Sequence, residues 1–380
     1  MLTRAGRYVN QLAGYRAFVP DPLPPNPPIH MDDSMVALLS RADHALGRLD
    51  AATELMPRAE QLVEMYIRKE ALLSSQIEGT QASLNDVLAA ETRAKDAQER
   101  GDVVEVFNYM RALRYGLARL KALPVSTRLI REIHGVLMKD VRGGHLTPGE
   151  FRTSQNWLGA AGSTLSNAAY IPPPPEQLLD HLSVLEKYLH SPAATPPLIA
   201  AALAHYQFET IHPFLDGNGR VGRLLITFLL MWWGRLTRPV LYLSFYLKLH
   251  RPEYYGHLQS AREHGDFEGW LRFFLTGVET VANEGCETSR KVRALLARHR
   301  ELVAGKFTSS AALRVLDLLC EHPVISIGLI AKGARRTKPA AAKLVSDFEK
   351  IGLLRETTGH ARNRLFEYAP YVKLFGKLEP

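Results

Sequence analysis

Residues 212–223 read His212-Pro213-Phe214-Leu215-Asp216-Gly217-Asn218-Gly219-Arg220-Val221-Gly222-Arg223, and an apolar run over 224–233 follows. A glycine-rich turn ahead of an apolar helix suits an anion. The glycines let backbone N–H groups converge, and the helix start adds its own unpaired N–H groups and dipole. Arg220 and Arg223 stand at i and i+3, so on a helix their guanidinium groups lie close to one face, where they match phosphate oxygens. Asp216 is a hard-cation ligand of the kind that holds Mg2+ against phosphates. His212 offers a general base for an incoming hydroxyl. A plain turn with two solvated arginines is the simpler alternative. The density of glycine and polar positions in this one short stretch weighs against it.

The stretch resembles the signature of the Fic family, His-x-Phe-x-(Asp/Glu)-Gly-Asn-Gly-Arg-x-x-Arg, at every fixed position. The resemblance implies an all-helical core that transfers AMP from ATP to a protein hydroxyl. By that resemblance His212 deprotonates a Tyr, Thr or Ser of the target and Asp216 binds Mg2+. Gly217, Asn218 and Gly219 hold the α- and β-phosphates, with Gly222 part of the same ATP-binding stretch. Arg220 and Arg223 hold the outer phosphates, Arg223 nearest the γ-phosphate, and Phe214 anchors the loop in the core.

Residues 74–79 read Ser-Ser-Gln-Ile-Glu-Gly. Ser74 and Glu78, at i and i+4, share a helix face, and Gly79 marks a helix end. Alone this is an unremarkable helix terminus. Alongside the first motif it resembles the Fic inhibitory motif, (Ser/Thr)-x-x-x-Glu-(Gly/Asn). In that family the glutamate pairs with the second signature arginine, which implies Glu78 on Arg223. A carboxylate there competes with the γ-phosphate, so ATP binds with its α-phosphorus badly placed for attack.

The composition bounds the rest. The chain has 380 residues, 46% hydrophobic, which suffices for two or three domains. Two cysteines, Cys286 and Cys320, make a disulfide framework an unsuitable reading and fit a reducing compartment. No secretory h-region and no bilayer-length apolar run is visible, so the expectation is a cytoplasmic protein without a membrane span. The net charge of +8 is uneven: residues 307–380 carry 12 Lys+Arg against 7 Asp+Glu. That skew points to a tail domain contacting nucleic acid, with a solvated basic face as the plainer reading.

The expected fold class is mainly α: a Fic-like helical core with a short β-hairpin flap, plus a C-terminal winged helix-turn-helix. The expected units are 1–110 (N-terminal segment and helices with the inhibitory motif), 111–285 (catalytic core), 286–307 (linker helix) and 308–380 (winged helix). Residues 1–30, rich in proline, are expected to run extended over a surface. Apolar periodicity predicts helices through 31–139, at 176–190, 197–211, 223–234, 252–264 and 267–284, and a charged helix over 287–304. Residues 140–175 carry turn signals. There Trp157 and Leu158 are expected to pair with residues 169–171, resembling the flap on which a protein target docks by strand addition.

In the tail, helices at 310–321, about 326–334 and 337–350, then two short strands around a basic loop, read as a winged helix. Lys338, Lys343, Arg362 and Arg364 are its candidate DNA-binding residues, with Arg335 and Arg336 at the turn. The alternative use of the same fold is protein interaction. Tyr254 and Tyr255 resemble family positions on or near adenine. Where some relatives have a base-contacting asparagine, this chain has Arg262. His205, Glu209 and His212 at i, i+4 and i+7 would suit a zinc site. Pro213 ends that helix, however, and His205 reads better as structural.

The expected substrates are Mg2+ and ATP with a hydroxyl-bearing protein target, the chain itself included. Rival readings stay open: transfer of another nucleotide, removal of AMP, or a DNA-binding regulator whose core senses ATP. The sequence does not decide the target or whether the chain forms a homodimer.

Overall fold

A computed structural model describes residues 2–56, 58–93, 101–160, 162–191 and 195–376. Strands β1 (Leu2–Thr3), β2 (Gly6–Asn10) and β3 (Arg16–Pro20) make an antiparallel sheet with β2 central. Tyr8 faces Phe18 across it, their rings edge-on at 5.1 Å. Residues 2–20 are extended as expected, and in addition pair into a sheet that the sequence did not announce. β3 is buried from Ala17 to Pro20, with cross-strand pairs to β2 along its length.

Helix α1 (Asp33–Glu54) starts on Asp32, whose carboxylate accepts the Met35 N–H at 2.8 Å. Its buried row, Met35, Leu38, Ala42, Leu46 and Leu49, faces a helix far along the chain. Helix α2 (Ala59–Ile77) is one uninterrupted helix. α3 (Leu84–Arg93), α4 (Asp102–Arg119) and α5 (Thr127–Leu137) follow, the last capped by Ser126.

The described residues of 138–174 are irregular and contain the flap, which among them is reduced to one antiparallel bridge between Leu158 and Tyr170. Helices α6 (Leu178–His190), α7 (Pro197–Ile211) and α8 (Asn218–Trp232) then form the centre. α7 is buried from Ala201 to Ile211, its polar His205, Gln207, Glu209 and Thr210 included, as befits a central helix. α9 (Ser244–Leu249) and α10 (Arg251–His264) lead to α11 (Phe267–Lys306), a single helix of 40 residues. The two helices expected at 267–284 and 287–304 are thus continuous. Asp266 caps the start, and no glycine or proline breaks the run strongly enough to end it. The partner of α1 is α11.

The C-terminal unit comprises α12 (Ser310–Glu321), β4 (Val324–Ser326), α13 (Ile327–Gly333), α14 (Lys338–Lys350), β5 (Arg355–Glu356), β6 (Leu365–Glu367) and α15 (Ala369–Val372). Ser326 and Thr337 cap α13 and α14. The antiparallel sheet runs β4-β6-β5, so the wing gains a third strand not read from sequence. No helix among the described residues is long and apolar enough to cross a membrane.

Candidate active site

The signature loop joins α7 to α8. α7 stops because Pro213 cannot continue it, and His212 takes the left-handed conformation at φ 50, ψ 62. For a non-glycine residue that conformation is strained by about 1 kcal/mol, so its neighbours must hold it. They do so through the main chain: Arg152 Nε donates to the His212 carbonyl at 3.0 Å and Asn156 Nδ2 to the Phe214 carbonyl at 2.8 Å. His212 is 9% exposed. Burial first, then the charges of Arg262 and Arg152, push its imidazole down to about 3, so it is neutral at physiological pH and able to take a proton.

Asn218 staples the loop to itself, accepting the Phe214 N–H at 2.9 Å and donating to the Phe214 carbonyl at 2.8 Å. Gly217 precedes α8 at φ 78, a conformation that favours glycine. One Asp216 oxygen accepts the Gly217 N–H at 2.6 Å, and the Asp216 side chain stays well exposed. A Cβ on Gly219 would collide with the Glu78 carboxylate, so that carboxylate lies directly over the turn.

The two arginines differ. Arg220 is 3% exposed, and its Nε and Nη1 have no hydrogen-bond acceptor among the described residues. Its nearest carboxylates, Glu105 and Asp216, stand at 3.7 and 3.8 Å. Buried unpaired donors are costly, and the oxygens of a bound phosphate satisfy them. Arg223 is held by protein on two of its nitrogens: Nε donates to Ser74 Oγ at 2.8 Å, and Nη2 to the Ser74 carbonyl at 3.0 Å and to Glu78 Oε1 at 2.6 Å. Burial raises the Glu78 carboxyl, but Arg223 and then Arg220 outweigh it and hold it below its ordinary value. The pair is therefore ionised.

Other sequence candidates fall differently. Gly222 is buried within α8, its carbonyl receiving the His205 ring Nδ1 at 2.9 Å. His205 also meets the Tyr254 hydroxyl through Nε2 at 2.8 Å. Tyr254 is 1% exposed, with the rings of His205 and Trp270 beside it, so of a place on or near adenine only the second is open to it. Tyr255 is 42% exposed and keeps an open face. Arg262 is buried with its guanidinium 3.9 Å over the Tyr170 ring and Nε on Thr210 Oγ1, which fastens α10 to the flap. Lys338, Lys343 and Arg362 are exposed on α14 and the wing, as are Arg335 and Arg336. Arg364 is half-buried, stacked on Phe366 and 3.9 Å from Glu349.

Several residues of the site escaped the sequence reading. His134 of α5 stacks on Phe214 at 3.7 Å, with Nε2 on the Asp216 carbonyl and Nδ1 receiving the Gly149 N–H. Glu70 is buried on α2 and accepts from Tyr109 and from Ser244, bracing the helix that carries Ser74. Glu209, which the sequence offered only as a member of a zinc set, is buried beside Gly222 with Oε1 unpartnered among the described residues, and burial lifts its carboxyl to about 7. The available signal was polarity inside apolar helical faces.

Comparison with known proteins agrees with this arrangement. A model described as Fic/DOC family N-terminal matches residues 36–118, and one described as Fic/DOC family matches 124–230. The chain belongs to the Fic family. A third model, described as HTH DNA binding domain, matches 313–366. The protein adenylyltransferase Fic of Aedes aegypti is 34% identical over 259 residues, covering 66% of this chain and 47% of that protein. The one from Culex quinquefasciatus is 33% identical with the same coverage. The chain thus spans about half the length of the curated relatives it matches. A solved Fic family protein from Desulfovibrio desulfuricans superposes at TM-score 0.58 with 18% identity, covering 90% of this chain and 97% of that one, which supports the fold.

Proposed function

We propose that the chain transfers the adenylyl group of Mg-ATP to a hydroxyl side chain of a protein, itself included, under restraint by Glu78. The observation that carries this reading is the Glu78–Arg223 pair beside a loop whose Arg220 has unpaired buried donors. His212 takes the proton of the hydroxyl as its oxygen bonds to the α-phosphorus. The bond from that phosphorus to the β-phosphate oxygen breaks and pyrophosphate leaves. Arg220, and Arg223 once free of Glu78, stabilise the leaving charge, helped by the first-turn N–H groups of α8.

Asp216 fits a Mg2+ carried by ATP: it is a single exposed carboxylate, and Mg2+ is commonly held by one or two carboxylates plus phosphates. When bound, the ion neutralises phosphate charge. The target hydroxyl would arrive on the flap around 157–171. The relatives' names favour adenylyl over other nucleotidyl groups. ATP as donor and two unpaired buried cysteines suit the cytoplasm.

The test is incubation of the Glu78→Gly protein with Mg2+ and either α- or γ-labelled ATP, with His212→Ala in the same background. Label from the α-position only, lost with His212, supports the proposal. Label from the γ-position overturns it in favour of phosphoryl transfer.

A second function, duplex DNA binding, is favoured for the C-terminal unit by the match of 313–366 and the exposed basic residues of α14 and the wing. A gel shift at graded salt tests it. Replacing Lys338, Lys343 or Arg362 by alanine should each reduce the log–log salt slope by about 0.9 for every phosphate that the side chain neutralises. Unchanged slopes count against a role for these side chains at the DNA backbone.

A further inference from the structure

We infer that Arg152 is a positioning residue that ties the flap to the base, so that a docked hydroxyl meets His212 in register. This rests on the transfer reading above. The Arg152 side chain is 3% exposed. Its Nε donates to the His212 carbonyl at 3.0 Å. Nη2 donates to the carbonyls of Pro173 at 2.6 Å and Ile211 at 3.4 Å, and Nη1 to that of Ser154 at 3.3 Å. The Arg152 backbone N–H adds a bond to the Pro213 carbonyl at 2.9 Å.

These acceptors belong to two structures. Ser154 and Pro173 stand at the two feet of the flap, outside the Leu158–Tyr170 bridge. Ile211, His212 and Pro213 form the turn that carries the base in its left-handed conformation. One planar guanidinium therefore sets the separation between the docking edge and the imidazole. Asn156, also on the near foot, adds a second tie through Nδ2 to the carbonyls of His212 at 3.3 Å and Phe214 at 2.8 Å.

The chemistry of the grip is unusual for a buried charge. All four acceptors of the guanidinium are backbone carbonyls, and none of its hydrogen bonds goes to a carboxylate. Burial of the guanidinium without a bonded carboxylate is expensive, and it pulls the group down to about 10. A core staple needs no such charge. A fork that must reach divergent carbonyls does, and a lysine with one nitrogen cannot span them. Because Arg152 touches neither reacting atom, its effect lies in geometry: misplacement by about 1 Å in such a site costs on the order of 100-fold in rate.

The test uses the full chain carrying Glu78→Gly, with Arg152→Ala or Arg152→Lys added. Three quantities are read: kcat for labelling a hydroxyl acceptor, the dissociation constant for Mg-ATP, and the thermal midpoint. The expected result is a fall in kcat of about 100-fold with Mg-ATP affinity kept within about twofold, and recovery by lysine of less than about a tenth. Unchanged labelling overturns the proposal. So does a parallel loss of labelling, ATP affinity and thermal midpoint, which would make Arg152 a structural staple only. Failure of the Glu78→Gly parent to label would overturn the transfer reading instead. Amide exchange then judges Arg152 on its own. Joint loss of protection at Leu158, Tyr170 and the 212–214 turn in Arg152→Ala supports the tie, and loss at only one of these places overturns it.

Discussion

Glu78 and Arg223, 145 residues apart in the chain, are joined by a hydrogen bond of 2.6 Å. Arg223 is almost fully buried while Glu78 keeps about a third of its side chain in solvent. The pair can therefore open by moving the glutamate without disturbing the core. Ser74 holds the other side of the guanidinium through Nε. Ser74→Ala should loosen Arg223 while leaving Glu78 in place. The expected outcome is a rise in self-labelling smaller than that of Glu78→Gly, of about two- to fivefold, because Nη2 keeps its bond to the Ser74 carbonyl and Glu78 stays in place. Initial rates at saturating Mg-ATP check this; a fall in rate would mean Ser74 serves the active state instead.

Arg220 has two buried donors awaiting an acceptor. Arg220→Lys keeps the charge and removes the fork. The KM for Mg-ATP should rise about tenfold, the value of a lost charge-assisted bond. Steady-state labelling gives the number directly, and an unchanged KM would remove Arg220 from the phosphate-binding groups.

The helix bearing Glu78 is also a docking strip for the C-terminal unit. Arg58 reaches Asp317 at 2.8 Å, Gln61 the Asp317 carbonyl at 3.3 Å and Arg68 the Glu321 carbonyl at 3.3 Å. On α3, just beyond the inhibitory turn, Thr92 Oγ1 donates to the Val324 carbonyl at 2.5 Å. Both helices flanking Glu78 are thus fastened to the same unit. Arg58→Ala with Thr92→Val should raise labelling by about two- to fivefold, as expected from losing about 0.5–1 kcal/mol of support. The same pair in the Glu78→Gly background should add nothing. A double-mutant cycle reads the coupling, and simple additivity would contradict it.

Stability should fall on mild acidification. Burial depresses His134 to about 4, and His205 and His212 to about 3. Between those values and about 6.5 the unfolded chain binds protons that the native chain does not, so stability rises with pH and is lost as pH drops. Glu209, lifted to about 7, works the other way: its contribution is present below its ordinary value and fades as pH rises towards 7. Three histidines outweigh one glutamate. Thermal midpoints should drop from pH 7 to pH 5, more steeply than one group gives, and a flat profile would count against neutral burial of the three rings.

Much of this was legible because glycines, helix caps and charges act locally. The turn at 216–219, the helix starts near Ser326 and Thr337 and the i, i+4 placement of Ser74 and Glu78 need only neighbours in sequence. The pairing of Glu78 with Arg223 is long-range and was reached through resemblance. What stayed hidden depends on tertiary placement. Arg152 and Asn156 look like loop residues until the flap folds against the His212 turn. His134 sits on an ordinary amphipathic helix and reveals itself only by stacking on Phe214. Tyr254 reads in sequence as a residue on or near adenine, but it is buried with its hydroxyl on the His205 ring. The N-terminal sheet was missed because its strands span 2 to 5 residues, too short for periodicity to register.

The most direct measurement compares initial self-labelling rates of the wild-type and Glu78→Gly chains with α-labelled ATP and Mg2+. A charge-assisted pair of about 1.5–3 kcal/mol predicts a gain of roughly 10- to 150-fold for Glu78→Gly. Equal rates for the two chains would contradict inhibition through Arg223.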